Sequence, residues 1–357
     1  MVRIIRHNIL ALQNAEGEGA GGSAGSEPAV SIIVVSYNTR AMTMACLASV
    51  ITETRQAPYE IIVVDNASAD GSAEAIAGLS GKVRLIALCD NIGFARANNL
   101  AIRQARGPLL LLLNPDTLVL DGAIDRLAAF ASVNPAAGIW GGRTLDGDRR
   151  LDPTSVWARM TPWSLFCRAS SLDKVLPRSA VFNSEGMGGW DRASMRRVDI
   201  VTGCFLMIRR QLWETLGGFD RTFFMYGEEA DLCLRAAKLG ARPLFTPSAT
   251  IIHYGGASEV TQTGKLEKLF RAKVSLMHRH WSAPARAAGY ALMLLWPLSR
   301  LAMASAMILL RSNAKHRRRF EMWRQVWRNR ASWISGYEET GAPAAATAAT
   351  VKSLGRG

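Results

Sequence analysis

Three acids stand within four residues, Glu228, Glu229 and Asp231, where a segment with helical spacing begins. Acids in a first helical turn interact favourably with the helix dipole, and capping accounts for such residues without any chemistry. Three of them exceed what a cap requires. Like charges this close raise a carboxyl pKa towards the range in which it takes a proton from an attacking hydroxyl. Any one of the three could be that base. Another carboxylate, Asp116, follows Asn114-Pro115 directly after five leucines at 109–113. So apolar a strand is buried, and the polar residues at its end are placed by the fold. One carboxylate, diphosphate oxygens and water suit Mg2+ or Mn2+, which prefer oxygen ligands. Asn-Pro also starts turns, which is the competing reading. His253 closes the apolar run 250–253. It can be a structural residue of its strand or a second metal ligand through a ring nitrogen. Asp65 ends a run of β-branched residues. Its carboxylate can accept from a pyrimidine imide N–H, or it can close an Asx turn with Asn66.

Such residues cooperate only if one scaffold brings them together. The pattern predicts strands at 30–36, 60–64, 83–88 and 109–113, with helices at 40–54, 70–79 and 94–106 between them. Strands and helices alternating at this interval define an α/β class with a mostly parallel, Rossmann-like sheet flanked by helices. Such sheets bind ligands beyond the carboxyl ends of their strands, the edge where Asp65, Asn91 and Asp116 fall. Further on, 141–195 reads as loop-rich and 198–208 as one strand. A short helix is expected at 212–216 and a clear one at 228–239, and a late strand ends at His253. Gly240 stands where a helix C′ glycine belongs.

The chain has 357 residues, of which 49% are apolar, enough for a sizeable core. Its net charge of +14 is uneven, because 256–335 holds 15 Lys/Arg and only 3 acids. A basic patch confined to one end points to a polyanionic surface, lipid headgroups or nucleic acid. The five cysteines are scattered, with no CxxC pair, which argues against a disulfide framework or zinc knuckle and fits a reducing cytoplasm. Cys89, Cys204 and Cys233 read as core thiols. No GxGxxG follows the first strand, no GxxxxGK[ST] occurs and no GxSxG elbow joins a strand to a helix, which weakens dinucleotide, P-loop and α/β-hydrolase readings. Residues 1–28 read as a flexible tail and 336–357 as a disordered one. Residues 287–310 are apolar except for Arg300, with Pro297 breaking the middle, and 311–330 are strongly basic with Phe320, Trp323 and Trp327 at helical spacing. The run is long enough to span a bilayer. A pair of amphipathic helices in the interface is the alternative, and an ordinary packed appendage is the plainest.

In order, the signatures are VSYN, VVDNASxDGS (63–72), NxGFAxANN (91–99), LLNPDT (112–117), TGCFLMIRR (202–210), GGFDxxFFMY with its acids (217–229) and HYGG (253–256). Together they resemble a family 2 inverting glycosyltransferase with the GT-A fold, most closely its bacterial rhamnosyltransferase-like branch, over about residues 30–256. The resemblance implies a GT-A domain at 29–256; the basic, apolar helical region at 257–335, read from its composition, is not explained by it. It implies a nucleotide-sugar site from Tyr37, Asn38, Asp65, Asn66, Asn91, Gly93, Asn98 and Asn114, with Tyr37 and Asp65 flanking the nucleobase. Asn114 and Asp116 occupy the family's DxD position, Asp116 and His253 become metal ligands for Mg2+ or Mn2+, and TGCF lines the acceptor side. The family's acid pair is usually Glu-Asp, with the second residue the base. Here Glu229 holds that place with one extra methylene, a displacement of about 1.5 Å, and shifts of roughly 1 Å can lower a rate about 10²-fold. Ala101 stands where glycine is frequent.

The implied activity is inverting, metal-dependent transfer of L-rhamnose from dTDP-rhamnose to a lipid-linked or growing saccharide at the cytoplasmic face of the membrane. A UDP-hexose or galactofuranose transferase, or a catalytically silent nucleotide-sugar-binding scaffold, are the alternatives. Nucleic acid is not an expected partner.

Overall fold

The computed structural model describes residues 27–79, 81–255, 261–311 and 313–337. Most of the two expected tails and the last residue of HYGG lie outside them. The chain begins with β1 (Val30–Ser36), α1 (Arg40–Glu53), β2 (Tyr59–Asp65), α2 (Ser72–Ala77), β3 (Arg84–Ala87), α3 (Phe94–Ile102) and β4 (Leu109–Leu113). Every residue of β1 and all but the first of β4 are buried. That is why both read as uninterrupted apolar runs, as strands covered on both faces do. β5 (Thr117–Val119), α4 (Ala123–Val133) and β6 (Ile139–Leu145) follow. Next come α5 (Pro162–Ser170), β7 (Phe205–Arg209), α6 (Arg210–Leu216), α7 (Glu228–Lys238) and β8 (Leu244–His253). Three helices finish the described chain: α8 (Gln262–His280), α9 (Ala283–Leu310) and α10 (Ala314–Arg328).

The sheet runs β3-β2-β1-β4-β7-β6-β8-β5. Its first four strands are parallel, β7 is antiparallel to both neighbours, β8 is parallel to β6, and β5 is antiparallel to β8. Register then decides what meets at the edge. Ser36 pairs with Asp65, Val34 with Leu113, and Phe205 with Leu113. Because β7 runs against β4, it is the start of β7 that arrives where β4 ends, and the Asn114 N–H donates to the Cys204 carbonyl at 3.2 Å. β8 carries Pro247, which cannot donate to a ladder, and its register against β6 shifts between Thr246 and Thr250. Past that bulge the strand pairs with β5 and brings His253 opposite Thr117.

Two expectations give way here. The single strand at 198–208 is broken: Ile200–Val201 pairs with Val156–Trp157 in a small separate ribbon, the TGC turn intervenes, and only then does β7 begin. The loop-rich reading of 141–195 misses most of β6 and all of α5. Gly141 and Gly142 weaken a strand pattern, yet they lie in β6 because Val201 and Phe205 crowd them: a Cβ at either glycine would fall 2.4 Å from those side chains. The start of α5 is written in the sequence as a capping box, Thr161 and Ser164 bonding reciprocally around Pro162.

Apolar clusters cover both faces of the sheet. A third gathers α5 with α8, α9 and α10 around Phe270, Trp296, Trp323 and Trp333. Burying such side chains stabilises the seam by about 1.5–3 kcal/mol each. Glu185 is buried beneath it, 2.7 Å from Lys273 Nζ and 3.6 Å from Arg168. Burial works to raise its pKa, but the two cations prevail and hold it down at about 2. α9 runs unbroken through Pro297, which the sequence suggested would interrupt it, and Arg300 turns inward to donate to the Arg168 carbonyl at 2.6 Å. Among the thiols, Cys204 and Cys233 are buried as expected, but Cys89 is exposed.

Candidate active site

The loops leaving β1 and β2 are tied together. Asn38, at φ 52°, donates its N–H to Ser68 Oγ at 2.9 Å and accepts from the Ala69 N–H at 2.7 Å. Tyr37 beside it is exposed. Asp65 is fully buried, and its two oxygens are used differently. Oδ2 accepts from the Ser68 N–H at 3.0 Å, the turn expected at a strand end, while Oδ1 has no hydrogen-bond partner. Turn and ligand readings are therefore compatible at this residue. Asn66 and Asn91 lock each other: Asn66 Nδ2 donates to Asn91 Oδ1 at 2.9 Å, and Asn66 Oδ1 accepts from the Ile92 N–H.

Gly93, at φ 83°, lies under Phe224, whose ring and carbonyl both come within 2.8 Å of where a Cβ would sit. The same carbonyl accepts from the Phe94 N–H at 3.0 Å and so caps the start of α3. Asn98 is buried inside α3 and donates to the Phe94 carbonyl, a bond within the helix. Its neighbour Asn99, which the sequence reading did not single out, makes the longer connection. It donates to the Phe219 carbonyl at 2.8 Å and accepts from the Phe219 N–H at 3.0 Å. Asn99 and Phe224 thus anchor the 219–227 loop, which leads into the acid pair. The adjacent asparagines of NxGFAxANN were the available signal.

At the end of β4, Asn114 Oδ1 is buried and has no partner. Asp116 is 7% exposed, with Oδ1 3.3 Å from His253 Nε2. Burial disfavours charge on the imidazole, but the Cys204 sulfur and the Asp116 carboxylate outweigh it and raise its pKa to about 11. The two expected metal ligands are therefore in contact, although they lie far apart in the sequence. Among the described residues no cluster of three or more His, Cys, Asp or Glu side chains forms a complete metal cage.

Gly227, at φ 90°, turns the chain into α7 and presents Glu228 and Glu229 in its first turn. Oε2 of each is buried without a partner. Burial pushes the Glu228 pKa well above the usual carboxylate range, and the Glu229 charge pushes it further. Burial likewise raises Glu229, against the nearby backbone N–H groups. Gly203 of the TGC turn faces Glu229, since a Cβ there would sit 3.7 Å from Glu229 Cβ. Asp231, the third candidate base, is differently employed. It is 1% exposed, with Oδ2 2.7 Å from Arg235 Nε and Oδ1 2.9 Å from His280 Nε2, and it clamps α7 to α8. Burial opposes its charge, but His280 and Arg235 lower its pKa below the usual value. A separate cavity of about 520 Å³, lined by Arg178, Trp190 and Arg196 among others, contains none of these residues.

Solved structures share the fold. A mannosyltransferase from Pyrobaculum calidifontis, determined with GDP-mannose and Mn2+, superposes at a TM-score of 0.52 with 18% identity, covering 91% of this chain and 93% of that one. Sheet and helices are thus of the GT-A type. Residues 31–216 match the family described as Glycosyl transferase family 2, and the chain belongs to that family and is a glycosyltransferase. The N-acetylglucosaminyl-diphospho-decaprenol L-rhamnosyltransferase of Mycobacterium tuberculosis is 27% identical over 81% of this chain and 95% of its own length. The O-antigen biosynthesis protein RfbC of Myxococcus xanthus is 30% identical over 65% of this chain, which spans only 18% of that longer protein.

Proposed function

We propose that this protein transfers a sugar, L-rhamnose from dTDP-rhamnose, to a lipid-linked saccharide in cell-surface polysaccharide synthesis. The transfer would take place at the cytoplasmic face of the membrane, with inversion at the anomeric carbon. The observation that carries this reading is the set of buried oxygens without partners on one sheet edge: Asp65 Oδ1, Asn114 Oδ1, Glu228 Oε2 and Glu229 Oε2. A fold satisfies its buried polar groups, so unsatisfied ones gathered at the ends of neighbouring elements mark where a ligand completes the structure. The mycobacterial relative's name supports the sugar and the lipid-linked acceptor.

In this reading Asp65 Oδ1 accepts from the imide N–H of a thymine or uracil, with Tyr37 beside the ring. Asp116 and His253 would hold Mg2+ or Mn2+, which offsets the charge of the donor diphosphate. The donor set fits such an ion, because one carboxylate and one imidazole leave most of a coordination shell to diphosphate oxygens and water. Glu229 takes the proton of the acceptor hydroxyl as its oxygen forms the bond to the anomeric carbon. The bond from that carbon to the diphosphate breaks on the opposite side, and the diphosphate departs with the electron pair. Burial keeps the Glu229 pKa high and its carboxylate basic.

The test is transfer from dTDP-rhamnose, UDP-galactofuranose, UDP-glucose and GDP-mannose to an N-acetylglucosaminyl diphosphate lipid, with and without Mn2+. Metal-dependent product from dTDP-rhamnose supports the reading. Product from a UDP sugar alone replaces the donor. Donor binding without transfer to this acceptor, unchanged in Glu229→Gln, supports the scaffold alternative.

A further inference from the structure

α9 carries an outer stripe with no polar atom in its side chains. Ala291, Leu295, Leu298, Ala302, Ala306 and Leu309 are all exposed and recur every three or four residues, one face of the helix. An exposed face without a charge along most of a 28-residue helix is not how a soluble helix meets water. The opposite face holds Met293, Trp296, Arg300 and Ala304, buried against α5 and α10. The one charge in the apolar run is thus turned into the protein. The apolar surface continues onto α5. Met303 is 49% exposed and touches Ser171, and the segment around that contact leaves Trp163, Phe166, Val175 and Leu176 exposed.

Charge names the occupant. No acid occurs between Glu267 and Glu321, and α10 opens with Lys315, Arg318 and Arg319, all exposed, just beyond the end of the stripe. Apolar side chains bordered by cations match a bilayer surface with anionic headgroups. A second copy of this face would bring the same cations together, which disfavours a dimer. A spanning α9 would carry α10, packed on its inner face, into the hydrocarbon with its arginines, each a large insertion penalty.

We infer that α9 lies in the plane of an anionic bilayer as a monotopic anchor, its outer stripe embedded together with the exposed side chains of α5 and the 172–176 turn. The purpose of such an anchor rests on the lipid-linked acceptor proposed above, but the anchor is measured without any transfer.

The experiment is flotation of the full-length chain with vesicles of phosphatidylcholine alone or with phosphatidylglycerol. The expected result is binding that needs phosphatidylglycerol, weakens with salt, and falls roughly tenfold or more in the double variant Leu295→Glu/Leu298→Glu. Both positions are exposed, so the melting temperature should hold and show that the fold survives. Lys315→Glu/Arg318→Glu/Arg319→Glu should also release the chain, mainly from the anionic vesicles. Equal binding by wild type and the double glutamate variant overturns the inference. So does retention in the membrane after alkaline carbonate washing, which indicates a spanning helix, or a wild-type dimer that the glutamates dissociate. Vesicle binding through the stripe with no transfer from any donor leaves this inference standing and removes the transferase reading instead.

Discussion

The first turn of α7 holds two kinds of carboxylate three residues apart. Asp231 has a guanidinium and an imidazole at hydrogen-bond distance, and its pKa is depressed. Glu228 and Glu229 have a buried oxygen each with no partner, and their pKa values are raised. Helix, turn and sequence neighbourhood are shared, so neither propensity nor the helix dipole separates them. What separates them is the surface each one faces: Asp231 faces α8 and closes a joint, whereas Glu229 faces the TGC turn and the polar edge. Glu185, clasped by Lys273 and Arg168, belongs with Asp231. Asp231 and Glu185 are satisfied where helices join, whereas Glu228 and Glu229 are left with an oxygen each for a substrate to complete.

The contrast can be broken most sharply at Glu229. Glu229→Gln should lower transfer by about 10²–10⁴-fold, the usual worth of a general base, with donor affinity in titration calorimetry unchanged. Lys273→Met should act on stability instead. It leaves Glu185 buried with a more distant partner and should cost about 3–5 kcal/mol in denaturant unfolding. Adding Glu185→Gln should recover much of that loss, because the uncompensated charge is gone. Asp231→Asn should cost about 1–3 kcal/mol by weakening the clamp.

The pH dependences should run in opposite senses. Glu185 has a depressed pKa, so its stabilisation is complete above the ordinary glutamate value of 4.5 and is lost as pH falls through about 2. Glu228 and Glu229 have raised values, so they oppose folding once pH climbs above 4.5, increasingly up to their folded pKa. Transfer should therefore show an acidic limb above the usual carboxylate range, and Glu228→Gln should leave that limb nearly in place, because burial is what raises Glu229. The smallest effect expected is a rise in melting temperature of about 1–3 °C in Glu228→Gln at neutral pH, read by calorimetry. A limb that moved well down in Glu228→Gln would mean that the Glu228 charge, and not burial, sets the Glu229 pKa.

Much of this was legible because buried parallel strands advertise themselves. VSIIVVS, EIIVVD and LLLLL allow little but covered strands, and their polar ends had to share an edge. The family signatures then assigned the roles. Illegible were features that depend on a neighbour remote in sequence. β6 hides behind Gly141 and Gly142, which are needed only because Val201 and Phe205 press on them. Asp231 resembles its neighbours until α8 supplies His280. Pro297 resembles a break until a whole helix packs around it. Asn99 stood in a recognised motif, but its partner, the Phe219 backbone, lies 120 residues away.

The most direct measurement places Glu229→Gln and Asp231→Asn side by side in one transfer assay, each with its melting temperature. The account predicts that Glu229→Gln loses transfer and keeps or gains stability, while Asp231→Asn melts earlier and retains most of its transfer. Transfer that survives in Glu229→Gln and vanishes in a well-folded Asp231→Asn would contradict it.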